Sequence, residues 1–358
     1  MLLARRAAIA VWALVVVHQT LTAGFAFDRG LLLLYISTGL VAASIGRRRK
    51  VLMVFRDWFP LALGLLLYDL SRGAAMWVGR PTLWQLQPEV DRWLGFGAVP
   101  TVWLQEHLKM PTPPWWEVIV SSVYMSYFIV PYAVAGWLWV RNRDDWKAFV
   151  VRFVALSFAA VAIYVVIPAA PPWAAAHCTT DDIAGGPSNP TCMFANPASV
   201  PDGGLLGAVH AHHAGAHQFV ERISTRGWDT LHLHSAGALV DSGQASVNLV
   251  AAIPSLHAGL TAMVAVFLWH RVHRRCRPFL MIYVLTMAFA LVYSAEHYVV
   301  DILIGWALTA LVLSVIGQVE SRWLLGSGRS PEATTANSTH DAGSTAAKEP
   351  RQADLLDD

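Results

Sequence analysis

The sequence predicts an all-α integral membrane protein with about eight transmembrane helices, on three observations. Hydrophobic residues make up 55% of the 358 and charged ones 14%, whereas soluble domains carry about 25% charged residues. Apolar runs near the length that a bilayer core requires, roughly 20 residues, recur along most of the chain. Basic clusters sit at alternate ends of those runs, the pattern expected of cytoplasmic loops.

The runs lie at 7–27, 31–45, 58–77, 118–140, 148–170, 249–269, 279–293 and 299–317. The first two form an N-terminal hairpin (1–50), and a tail from 321 to 358, rich in Ser, Thr, Ala and Gly, is too polar to bury a core and reads as disordered. Residues 81–114, rich in Trp and Pro, read as short amphipathic pieces along the outer surface.

Arg5–Arg6, Arg47–Lys50, Arg141–Lys147 and Arg271–Arg277 fall on one side of a strictly alternating eight-span chain. Taking that side as cytoplasmic puts both termini inside, in a multi-pass plasma membrane protein. The loop at 170–248 then lies outside. Cys178 and Cys192 stand 14 residues apart in that loop, with no Cys-x-x-Cys motif nearby, and read as a disulfide in an oxidising compartment. The alternative for the first run is a cleaved signal peptide, with small residues around Gly24-Phe25-Ala26; later orientations would not change.

The net charge of +2, with no basic stripe, excludes nucleic acid as a partner. Ionisable residues at span ends point instead to chemistry in the bilayer. Two segments stand out: Pro254-Ser255-Leu256-His257 opening the sixth run, and His297-Tyr298-Val299-Val300-Asp301 between the seventh and eighth. Both fall at the outer face. Residues 297 and 301 share one face of a helix, so Asp301 can hold one ring nitrogen of His297 and free the other as a nucleophile. His257 can protonate a leaving oxygen. Ser255 lies at a helix start that favours anions.

At these residues the sequence resembles the type 2 phosphatidic acid phosphatase superfamily, whose signature is KxxxxxxRP, PSGH and SRxxxxxHxxxD. Residues 254–257 match the second motif with Leu256 in place of Gly, and His297 and Asp301 match the third. The resemblance covers about 58–317. It implies a catalytic membrane domain at 51–320 with a six-helix phosphatase-like core formed by spans three to eight, and roles for His297 as nucleophile, Asp301 as its partner and His257 as acid. Leu291 stands where the third motif has Arg, and the fifth span ends in Ile167-Pro168-Ala169-Ala170-Pro171-Pro172-Trp173 rather than in KxxxxxxRP. This pattern is similar to the branch of inositol phosphorylceramide synthases. It implies transfer of an inositol-phosphate-like head group from a phosphoinositide-like donor to a lipid or glycolipid. Hydrolysis of a lipid phosphate, with water as acceptor, is the alternative, and a proton-coupled transporter is the reading from another class.

With the usual phosphate-binding bases displaced, Arg72, Arg222 and Arg226 are the basic candidates for the phosphate, beside Ser255. Six histidines between His210 and His234 raise a metal site. They lack Cys or Asp/Glu at ligand spacing and read as a solvated loop. A phosphohistidine route needs no metal or other cofactor.

Overall fold

Eight apolar segments do form helices, but they differ in length and continuity from the sequence reading. The computed structural model describes residues 2–23, 29–72, 78–231 and 249–326. The helices are α1 (Leu2–Ala23), α2 (Arg29–Ser44), α3 (Arg48–Arg72), α4 (Leu86–Leu94), α5 (Pro100–Leu108), α6 (Trp115–Ser126), α7 (Val130–Arg141), α8 (Arg143–Val166), α9 (Pro172–His177), α10 (Leu256–Trp269), α11 (Arg277–Tyr293) and α12 (Val299–Gly326). Among the described residues there is no strand, only isolated bridges. The chain divides into two compact units, Met1–Ile316 and Gly317–Asp358; every contact described below lies within the first. The expected tail beyond 326 lies outside the described residues.

Among the described residues five helices are long and apolar enough to cross a membrane, in α1, α3, α8, α11 and α12, and α6 with α7 counts as a sixth when the bent pair is taken as one span. The protein is therefore a multi-pass, all-helical membrane protein. The second expected span, 31–45, is the short apolar helix α2, and two others need correction. The sixth, α10, fills only part of 249–269. The fourth is not continuous: α6 and α7 meet at 57°. Pro131 accounts for the break, since it donates no hydrogen bond and its ring would clash with the carbonyl of Tyr127 in a straight helix. Residues 127, 128 and 129 instead bond three residues back, to Tyr124, Met125 and Ser126.

Burial of large side chains holds the bundle together. Trp58 of α3, Phe149 and Phe153 of α8, Met263 of α10 and Met287 of α11 share one core. A second cluster joins Trp84, Val99 at the start of α5, α9 and the loop as far as Val220 around Trp173, Tyr298 and the Cys178–Cys192 disulfide.

The sixth run begins as extended chain rather than helix for a specific reason. Pro168 ends α8, and Ala169 then pairs in parallel with Leu83 on one side and Ala251 on the other. Leu83 N donates to Pro168 O, Ala170 N to Leu83 O, Ala169 N to Val250 O and Ala252 N to Ala169 O, at 2.7 to 3.1 Å. Buried amides need partners, and these three extended segments satisfy one another. The clamp delivers the chain to Pro254 and the start of α10.

Candidate active site

Ser255 caps α10. Its Oγ accepts from Ala258 N at 3.3 Å, and its carbonyl accepts from Gly259 N at 3.0 Å. Its own N–H donates to Asp301 O at 2.9 Å, so one backbone bond ties the two sequence motifs together. The approach is close because glycine faces it: a Cβ on Gly305 would lie 2.4 Å from Ser255 O. One turn deeper, Thr309 Oγ1 donates towards Gly259 O and Gly305 O, at 3.0 and 2.9 Å. Small residues at 259 and 305 thus set how near α10 and α12 come.

His257, in the first turn of α10, is surrounded by aromatic rings from the broken fourth span. Tyr127 lies 3.9 Å from it between centroids, Tyr124 5.2 Å and Phe128 5.9 Å. Residues 124, 127 and 128 are spaced three and four apart, so all three rings come from one face of the chain that leads into the bend. The sequence reading missed them.

His297 is not on a helix with Asp301, as the spacing suggests. It lies on the turn that precedes α12, where Glu296 N and His297 N both donate back to Leu291 O, at 3.0 and 3.2 Å. The two side chains still meet across the helix start: His297 Nδ1 stands 3.5 Å from Asp301 Oδ2, an ion-pair approach longer than a well-formed hydrogen bond. The other ring nitrogen, Nε2, lies 3.4 Å from His257 Nδ1. Asp301 is fully buried and His297 is 6% exposed. Asp301 Oδ2 also accepts from Tyr298 N at 2.9 Å.

Asp91 of α4 joins this group and was not foreseen. Its two carboxylate oxygens accept from Val299 N and Val300 N, at 2.8 and 2.9 Å. Gln87 and Asp91, four residues apart on this short helix, are polar yet both fully buried.

The three arginines differ in position. Arg222 donates to Glu296, the neighbour of His297, with Nε to Oε1 at 2.8 Å, and stacks over Trp173 at 5.2 Å. Arg226 grips both oxygens of Glu117 and donates from Nη1 to Met110 O at 3.1 Å. Tyr293 OH donates to the same Glu117, at 2.6 Å. Arg72 ends α3, and its side chain lies outside what is described. Of the loop histidines, His212 meets His107 edge to face, and His217 pairs with Glu221 at 2.8 Å. His210 donates its N–H to Glu106, and His213 Nε2 contacts His107 O; His232 and His234 lie outside the described residues. Buried Lys109 also meets Glu221, at 3.1 Å, and burial pushes the lysine below its ordinary value.

The family model for the PAP2 superfamily matches residues 88–315, and the chain belongs to that superfamily. It is 25% identical over 194 residues to a phosphoinositol dihydroceramide synthase of Bacteroides thetaiotaomicron, covering 53% of this chain and 52% of the relative. The chain thus spans about half the length of the curated relative it matches. No solved structure matches.

Proposed function

We propose that this member of the PAP2 superfamily transfers a phosphate-containing, inositol-phosphate-like head group between lipids through a phosphohistidine. The observation that carries the reading is the line of Asp301, His297 and His257: a carboxylate at 3.5 Å from one nitrogen of a ring whose other nitrogen is 3.4 Å from a second histidine. Asp301 favours the tautomer with hydrogen on Nδ1, which leaves a lone pair on Nε2.

In the first step Nε2 of His297 attacks phosphorus of the donor lipid. An N–P bond forms, the bond from phosphorus to the lipid oxygen breaks, and His257 gives that oxygen a proton. In the second step a hydroxyl of the acceptor attacks phosphorus, its proton passes to His257, and the N–P bond breaks. The oxygens on phosphorus gain negative charge on the way, and a preorganised positive environment stabilises it. We assign this to the start of α10 with Ser255, and to Arg72 and Arg222. Arg222 and Arg226 would each first have to exchange contacts, with Glu296 and with Glu117 and Met110 O respectively.

The donor is a phosphoinositide-like lipid and the acceptor a lipid or glycolipid, a choice supported by the sequence pattern and by the activity for which the bacterial relative is named. The site faces the outside of the plasma membrane with both termini within, supported by basic clusters opposite the loop that carries the disulfide. Hydrolysis of a lipid phosphate is the second reading, favoured by the same three residues with water as acceptor.

The deciding experiment incubates purified protein with radiolabelled phosphatidylinositol and, separately, with a labelled lipid phosphate, following head-group transfer and phosphate release. Transfer without net release supports the first reading, and release alone supports the second. Full activity of His297→Ala would defeat both.

A further inference from the structure

The first turn of α12 needs more hydrogen-bond acceptors than its own sequence supplies. Tyr298 takes the N-cap position, since its carbonyl receives the first intrahelical bond, from Ile302 N. Tyrosine carries no acceptor placed to cap the turn. Asp301, three residues on, reaches back to Tyr298 N at 2.9 Å, as the third-position carboxylate of a capping box does. Three helical amides still lack an intrahelical acceptor, those of Val299, Val300 and Asp301. The first two are taken by Asp91, which is 208 residues away from Val299 in sequence.

We infer that Asp91 is the positioning residue of the proposed nucleophile. By holding Val299 N and Val300 N it fixes the first turn of α12. The turn in turn fixes Asp301 against His297, and His297 against His257. The role rests on the phosphohistidine reading above for its kinetic arm only.

The chemistry of the carboxylate gives the role a signature. Burial pushes Asp91 up to about 6, against the two amide bonds that hold it down, and the negative charge of Asp301 raises it further. Tyr298 faces the same cluster, with Arg92 close enough to act on it, and Glu89 lies on the helix of Asp91 itself. Ionised, Asp91 offers an acceptor to each amide. Protonated, it turns one oxygen into a donor facing an N–H, and one of the two bonds is lost.

The test uses the full chain in detergent. Asp91→Asn keeps shape and one acceptor but imitates the protonated state at every pH. Its kcat should fall by about tenfold or more while KM stays within about twofold, the split expected when only transition-state alignment suffers. The acid limb of kcat near pH 6 should be shallower than in wild type, because one of the ionisations behind it is gone. Hydrogen exchange at residues 298–301 should quicken, with residues 260–269 unchanged. Asp91→Glu, which restores charge but overreaches by one methylene, should recover part of kcat and the steeper limb; it also stands in should the Asn variant aggregate. Wild-type kcat and an unaltered acid limb in Asp91→Asn would overturn the inference, as would unchanged exchange at 298–301. If wild type transforms no lipid tested, the catalytic reading fails by itself, and the exchange measurement still decides whether Asp91 holds the turn.

Discussion

Replacing Gly305 by Ala tests how closely the two halves of the candidate site must meet. A Cβ there would stand 2.4 Å from Ser255 O and 3.3 Å from Ser255 C. Both are backbone atoms of the residue that caps α10, so no side chain can swing aside. Relieving the clash to 3.0 Å requires the helices to part by about 0.6 Å. That shift acts on the bond from Ser255 N to Asp301 O at 2.9 Å and on the 3.4 Å approach of the two histidines. A misplacement of about 1 Å can cost 100-fold in rate, so we predict a fall in kcat of about 10- to 100-fold. Overpacking of this kind costs about 1–3 kcal/mol in stability, which should lower the melting temperature by a few degrees without unfolding the protein. Gly259→Ala is the internal control: its nearest atom is Thr309 Oγ1 at 3.1 Å, a side chain that can give, with Gly305 O at 3.2 Å behind it. Head-group transfer by both variants, with thermal unfolding in the same detergent, makes the comparison. If Gly305→Ala keeps kcat within about twofold of wild type, or if Gly259→Ala is the more damaged, the close approach of α10 and α12 does not set the site.

Other perturbations reach separate parts of the molecule. Asp301→Asn should lower the transfer rate by about a thousandfold or more through loss of the favoured His297 tautomer, with little change in donor binding measured by equilibrium partitioning. Removing the Cys178–Cys192 bond, which closes a loop of 14 residues, should cost about 3 kcal/mol, seen as a lower melting temperature of Cys178→Ser/Cys192→Ser under non-reducing conditions. Burial raises the carboxyl of Glu221, but hydrogen bonds and charge from His217 and Lys109 outweigh it and leave the group below its ordinary 4.5. Its contribution to stability is therefore present above pH 4.5 and lost as pH falls through the lower folded value. Glu221→Gln should flatten the dependence of melting temperature on pH in that acid range; an unchanged slope would exclude the contribution.

What could be read from the sequence followed from where each physical signal is written. Apolar length is a local property, so eight segments and their order were legible, as was the pairing of His297 with Asp301. The details that failed depend on distant partners. The helix start at Ser255 was legible, but the extended chain before it was not; its cause is Ala169, beyond the end of α8, which pairs with Ala251. The break at 127–129 was legible in principle from Pro131, yet an apolar run on both sides of a proline also fits a kinked but continuous span. Asp91 was beyond reach, because nothing near it in sequence hints at amides 208 residues away. The arginines illustrate the same limit: Arg222 and Arg226 read as equivalent cations, but Glu296 and Glu117 distinguish them.

The contrast between two helix starts explains how an anion would be directed within the proposed site. Every helix presents partial positive charge at its N-terminus. At α12 that charge is met by two buried carboxylates, since Asp301 and Asp91 between them occupy the amides of residues 298, 299 and 300. At α10 the capping groups are neutral: the hydroxyl and carbonyl of Ser255 serve the amides of Ala258 and Gly259. A phosphate group approaching His297 therefore meets repulsion from the helix behind the nucleophile and attraction from the helix that carries His257. That asymmetry would turn the phosphorus towards His257 and its proton, with the Asp301 carboxylate kept on the far side of the His297 ring. It also makes a prediction about binding. Ser255→Asp, which would place a carboxylate at the start of α10, should weaken binding of a non-transferable donor analogue by about tenfold or more, whereas Ser255→Asn, a neutral cap of similar size, should bind nearly as wild type. Equal binding by the two variants would show that the start of α10 does not attract the phosphate.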